Sequence, residues 1–264
     1  MSSRMPEFTT LFLLCLTALT AGFIDSVVGG GGLVQIPALF LLFPHFPVPR
    51  VIGTNRFSSF MGTGVAAWQY VQRVAVPWPI VLWAAVAASI CSFLGARLSS
   101  LLPGAVLKPI MLVLMTGIAI YTYRNKTLGQ EENLRIAPDK LPWLAGALGG
   151  AIGFYNGFVG PGTGSLLVFG FVSLLGFDFL RASAQAKIIN VVADVSSLIF
   201  FITNGYVTYE LAIPMMLCNM AGSFIGSRMA IGRGSAFIRA LFLIVVFGLI
   251  ARFGYEVVRD WGGW

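Results

Sequence analysis

Stretches of about 20 residues almost without charge recur along this chain, and few folds can accommodate them. They lie at about 8–28, 52–71, 77–98, 104–123, 141–159, 184–204, 207–231 and 236–254. An α-helix rising 1.5 Å per residue needs roughly 20 residues to cross the hydrocarbon core of a bilayer. Only 10% of the residues are charged and mean hydropathy is +0.86, whereas a soluble domain carries roughly 25% charged residues. A β-barrel would show short alternating segments instead. The pattern predicts an all-α polytopic membrane protein forming a single transmembrane domain over residues 1–264. Two further apolar stretches, 33–43 and 165–176, are too short to span. The first apolar run has the look of a signal peptide, but it continues into Gly22, where an internal repeat begins, so it is read as a retained helix.

That repeat is visible at a shift of 131 residues. Gly22-Phe23 falls on Gly153-Phe154, Val28-Gly29 on Val159-Gly160, Gly31 on Gly162 and Arg50 on Arg181. At the same shift Ser92-Phe93 falls on Ser223-Phe224, Gly95 on Gly226, Arg97 on Arg228 and Gly117 on Gly248. Apolar composition alone would not keep glycines and arginines in register. The expected organisation is repeat one at about 8–123, a polar linker at 124–140 and repeat two at about 141–256. If each short segment folds back as half of a hairpin, each half crosses an odd number of times and the repeats are inverted; if it completes a crossing, they are parallel. Inversion is the preferred reading, because the breaks described next then meet at mid-membrane. Arg124, Lys126, Arg135 and Lys140 make the linker the best cytoplasmic candidate.

Each half interrupts its first helix at the same place. "GGGGLVQIP" starts at Gly29 and "GPGTGSLLV" at Gly160. Glycine lets backbone amides turn inward, and the half-helix that follows directs its positive N-terminus at the break. Gly29, Gly30, Gly31 and Gly32 in one half, with Gly160, Pro161 and Gly162 in the other, are therefore candidates to meet a substrate through backbone N–H groups. A Cβ at Gly30, Gly31 or Gly162 would obstruct the turn or the approach of a ligand. The alternative is that these glycines serve only close helix packing.

Two cations share the register: Arg56 in "GTNRFSS" falls on Lys187 in "AQAKIIN". Each lies about one turn into an apolar helix, either facing a cavity or snorkelling to the interface. Asn55, Thr54, Ser58 and Ser59 flank the first, and Gln185 and Asn190 the second. Cation, amide and hydroxyl together offer hydrogen-bond donors suited to an oxyanion. Asp25 falls on Asn156, both just before a break, and Asp194 falls on Thr63. Each aspartate is read either as a structural ion-pair partner or as the carrier of a coupling proton. Arg97 and Arg228 are read as interface anchors.

No catalytic set accompanies these residues. His45 is the single histidine, and Cys15, Cys91 and Cys218 are far apart, so neither a metal site nor a disulfide framework is indicated. No cofactor, nucleotide or nucleic-acid motif occurs, and the chain is not read as an enzyme. The net charge of +7 suits basic loops or an attraction for anions.

The motifs "AGFIDSVVGGGGLVQIPAL", "GTNR", "GFYNGFVGPGTGS" and "ASAQAKIIN" resemble the TauE/SafE, or sulfite exporter, family of membrane transporters, nearest its YfcA-like branch. The resemblance covers essentially the whole chain. It implies a multi-pass protein of the bacterial inner membrane that exports a small anion such as sulfite, a sulfonate or another organosulfur compound. The family's motif positions fall on Asp25, Gly29 to Gly32, Asn55 and Arg56, and on Asn156, Gly160, Pro161, Gly162, Lys187 and Asn190. Expected partners are the small anionic substrate, the lipid bilayer and a coupling proton or ion, with oligomeric state open. The competing class is a membrane-embedded protein without transport activity, an assembly subunit or an enzyme.

Overall fold

A computed structural model describes residues 8–99, 129, 131–134, 136–158 and 160–262. The apolar stretch at 104–123, with Gly117, and Arg124, Lys126 and Arg135 of the linker lie outside the described residues. Among the described residues the chain is helical throughout its regular structure, with no strand. The helices are α1 (Phe8–Val28), α2 (Gly32–Leu42), α3 (Val48–Arg73), α4 (Trp78–Ser99), α5 (Leu141–Phe158), α6 (Thr163–Gly170), α7 (Phe179–Thr203) and α8 (Tyr209–Gly262). A π-helical turn, Phe171–Leu175, continues α6. The long α8 is interrupted at Gly234, whose φ of 71° and ψ of −167° are not helical. That break falls between the two apolar runs that the sequence separates at 231–236.

Among the described residues, four segments are long and apolar enough to cross a membrane: Phe8–Val28, Trp78–Leu98, Phe179–Thr203 and Tyr209–Gly248. Their outward faces carry large apolar side chains, such as Leu82, Trp83, Val86 and Ile90 on α4, as a lipid-facing surface requires. Helix α7 begins at Phe179, five residues before the apolar run at 184–204. The Asp178 carboxylate causes this, accepting hydrogen bonds from Leu180 N at 2.9 Å and Arg181 N at 3.0 Å. Those are two of the orphan amides that every helix N-terminus leaves.

The principal helix contacts join the two halves of the chain: α1 packs on α8, α4 on α5, α4 on α7, and α3 on both α7 and α8. Small residues bring the backbones together. A Cβ built on Gly22 would lie 2.9 Å from Asn219 C, and one on Gly153 would lie 2.6 Å from Ala88 O. In lipid, where apolar burial does not drive helices together, such close van der Waals approach is a main source of association.

The interior of this packing is polar as well as apolar. Ser26, Gln35, Thr54, Ser58, Ser165, Ser183, Gln185 and Lys187 are all fully buried. Most of the hydroxyls spend their hydrogen bonds on backbone carbonyls, as Ser183 does on Val27 O at 3.3 Å and Tyr70 on Ser26 O at 3.1 Å. Such bonds satisfy carbonyls near the end of α1, which have no helical partner beyond Val28.

Candidate functional site

Between α1 and α2 the chain leaves the helix after Val28 and re-enters it at Gly32. Gly29 and Gly30 have φ of 78° and 97°, a region that side chains with a Cβ rarely enter. Gly31 differs: its φ is −54°, and its constraint is space, since a Cβ there would lie 2.8 Å from Asp25 Cβ. Between α5 and α6, Gly160 and Gly162 have φ of 89° and 86°. The Tyr155 hydroxyl donates to Pro161 O at 2.9 Å, and Thr163 Oγ1 to Gly160 O at 2.6 Å, pinning that turn.

The two interruptions lie against each other. A Cβ on Gly164 would sit 2.6 Å from Gly29 Cα, so backbone meets backbone at this point. Ser165 Oγ closes the contact by donating to Val28 O at 3.2 Å and Gly29 O at 3.0 Å. Beside the contact is a small cavity of about 40 Å³ that opens at one side. The first turns of α2 and α6 reach its wall through Gly32, Thr163 and Gly164.

Of the residues singled out in the sequence, the cavity wall brings together Asp25, Gly30, Gly32, Asn55, Arg56, Asn156, Gly160, Gly162, Asn190 and Asp194. Gly29, Gly31, Pro161 and Lys187 stand behind it. Ser59, noted beside Arg56, and Thr63, noted as the repeat mate of Asp194, also line it. Thr163, Gly164, Ile36 and Ile52 were not singled out. Thr163 and Gly164 stand in the "GPGTGS" motif, directly after the residues chosen. Ile36 and Ile52 carry no signal distinguishing them from other apolar residues.

Neither cation snorkels. Arg56 is 3% exposed and Lys187 0%, and each is paired with a carboxylate from the other half of the chain. Lys187 Nζ donates to Asp25 Oδ2 at 3.1 Å. The same oxygen accepts from Thr63 Oγ1 at 3.2 Å, and Asp25 Oδ1 accepts from Gly31 N at 3.3 Å. Arg56 Nη1 donates to Asp194 Oδ1 at 2.6 Å and to Asn156 Oδ1 at 3.2 Å, and Nη2 donates to the Asn156 backbone carbonyl. Asn156 Nδ2 in turn donates to Asp194 Oδ1 at 3.0 Å. A Cβ on Gly160 would lie 2.8 Å from Arg56 Nη2, so only glycine admits the guanidinium there. The four charges sum to zero.

Two amides complete the wall. Asn55 and Asn190 are 6% and 5% exposed, and the Oδ1 of each has no hydrogen-bond partner among the described residues. Both Nδ2 groups stand at half-helix N-termini. Cβ atoms built on Gly32 and Gly164 would lie 3.5 Å from Asn55 Nδ2 and 3.0 Å from Asn190 Nδ2. Buried polar atoms without partners are uncommon in folded proteins, and here they line a cavity. No group of three or more metal-ligating side chains occurs among the described residues. Arg97 and Arg228 stand exposed on α4 and α8, away from the cavity.

Comparison with known proteins places this arrangement in context. The profile of the family described as "Sulfite exporter TauE/SafE" matches residues 14–253. A "Probable membrane transporter protein ORF9" of Sinorhizobium sp is 36% identical over 246 residues, covering 93% of this chain and 92% of that protein. A "Probable membrane transporter protein" of Haemophilus influenzae is 31% identical over 256 residues, covering 93% and 95%. The "Probable membrane transporter protein YfcA" of Escherichia coli is 31% identical over 262 residues, covering 96% and 95%. No solved structure matches the chain.

Proposed function

The chain belongs to the TauE/SafE family of multi-pass membrane transporters, and from that premise we propose that it exports a small oxyanion, of the sulfite or sulfonate type, through the cavity beside the two glycine interruptions. One observation carries the reading. A single cavity wall holds two half-helix N-termini, the side-chain amides of Asn55 and Asn190, and the Arg56 guanidinium. N-terminal amides and a positive helix end favour an anion, and a planar guanidinium can hold two oxygens of an oxyanion with parallel hydrogen bonds. The residues proposed to meet the substrate are Gly30, Gly32, Asn55, Arg56, Gly160, Gly162 and Asn190. Gly29, Gly31 and Pro161 shape the two turns, Asn156 holds Arg56, and Lys187 holds Asp25.

The proposed architecture is a single domain of two inverted repeats. Several contacts support it, because they exchange at the 131-residue shift. Gly22 meets Asn219 as Gly153 meets Ala88, and Gly226 meets Phe23 as Gly95 meets Phe154. The cluster Asp25–Lys187–Thr63 has a counterpart in Asn156–Arg56–Asp194, residue for residue. In each cluster one cation joins one carboxylate, but the carboxylate sits at a different corner.

Thermal unfolding of the purified protein with sulfite, sulfate, methanesulfonate or chloride, followed by flux of the best binder in proteoliposomes, tests the function. Stabilisation by an oxyanion and its movement across the bilayer support the reading. No stabilisation by any of them, with no flux, would return the chain to a transporter of some other solute.

A further inference from the structure

The neutral site raises a question that the oxyanion reading has to answer: how does an anion displace a carboxylate already bonded to Arg56? The two carboxylates are not held alike. Both oxygens of Asp25 accept hydrogen bonds, Oδ1 from Gly31 N and Oδ2 from Lys187 and Thr63. Asp194 takes both of its hydrogen bonds on Oδ1, at 2.6 Å from Arg56 and 3.0 Å from Asn156. Its Oδ2 accepts none among the described residues, and Asp194 lines the cavity.

Resting on the oxyanion reading, we propose that Asp194 is the proton-binding group of this site, taking up one proton as Arg56 exchanges its carboxylate partner for the substrate anion. A proton from solution binds Asp194 Oδ2 and makes a neutral carboxylic acid. Arg56 keeps its own proton, and the incoming monoanion becomes its counter-charge. The site is neutral before and after, which matters because a lone charge inside a membrane protein is costly. Asn156 keeps the guanidinium in place during the exchange, since it accepts from Nη1 through its side chain and from Nη2 through its backbone. Arg56 Nε is buried without a partner, so the guanidinium has a donor in reserve.

The charged groups facing Asp194 are Arg56 from α3, Asp25 from α1 and Lys187 from its own helix, α7. Helices α4, α5 and α6 present Ser92, Asn156 and Thr163, none of which is charged, and no α8 residue lines the cavity. Asp25 is the only competing proton acceptor among these, and it is the better bonded of the two.

Methanesulfonate is the suitable probe, because it remains a monoanion across the working pH range whereas sulfite titrates near neutrality. The full chain, purified in detergent in weak buffer, should take up about one proton per methanesulfonate bound, read with an indicator dye. Below the pH at which free Asp194 protonates, affinity should level off; above it, affinity should fall about tenfold per pH unit, the slope of one linked proton. Asp194→Asn should bind without uptake and without that slope. Asp25→Asn should keep its uptake per anion bound, whatever its affinity. Binding without proton uptake in the unaltered protein, or uptake that survives Asp194→Asn, overturns the proposal and leaves the oxyanion reading standing. No binding of methanesulfonate, sulfate or sulfite at any pH removes both. Should Asp194→Asn fail to fold, infrared difference spectra decide: a protonated-carboxyl band on adding methanesulfonate, retained in Asp25→Asn, supports the assignment, and its absence in the unaltered protein overturns it.

Discussion

Lys187 is fully buried and bonded to Asp25, so removing its charge leaves a carboxylate without its counter-ion inside the protein. Breaking such a pair costs about 3–5 kcal/mol. Lys187→Gln should therefore lower the thermal unfolding temperature sharply, and adding Asp25→Asn should recover most of the loss. Arg56 lines the cavity while Lys187 does not, so Arg56→Gln should act on binding: losing a charge-assisted hydrogen bond weakens oxyanion affinity by ~1.5–3 kcal/mol. Equilibrium binding of methanesulfonate checks this, and equal losses in Lys187→Gln would contradict the division. The sequence made both cations visible by type and register. It left their partners open, because Arg56 and Asp194 lie 138 residues apart and Asp25 and Lys187 162 apart. Either aspartate could have served either cation, and only helix packing decides.

Helix interruptions obey constraints that the letter G does not distinguish. Gly29 needs both a positive φ and an absent side chain, since Gly164 lies against it. Gly30 needs the positive φ, but its nearest neighbours are side-chain ends, Leu33 Cδ1 and Ser165 Oγ, each 3.2 Å from a built Cβ. Gly29→Ala should thus cost folded, monodisperse protein, whereas Gly30→Ala should fold with a strain of ~1–3 kcal/mol and lose transport per surviving molecule. Size-exclusion yield and flux in proteoliposomes separate the two. The start of α7 was equally hidden, because a polar residue outside the apolar run, Asp178, fixes it. Asp178→Ala should lower stability by ~1 kcal/mol, read by thermal unfolding.

Across the whole molecule, the main helix contacts join the first half to the second: α1 with α8, α4 with α5, and α3 with α7. Among the described residues the main buried apolar cluster draws on both halves, with Val27, Tyr70 and Val81 in it beside Leu167, Phe171 and Ile189. A chain cut within the 124–140 linker should yield two fragments that are unstable when expressed separately and co-purify when expressed together. Stable, monodisperse behaviour of either fragment alone would contradict this. Among the described residues, the placement of the apolar helices followed from hydropathy, because a bilayer imposes its thickness on any crossing segment. Which helices touch did not follow, since lipid-facing and packed faces are alike in apolar character. The balanced pairs at the centre also have an electrical consequence. A unit charge moved through the full membrane potential involves about 2.3 kcal/mol per 100 mV. Arg56, Lys187, Asp25 and Asp194 moving as a group carry no net charge, and neither does the site with a monoanion and one proton aboard, so the protein can change shape in both states without working against the voltage.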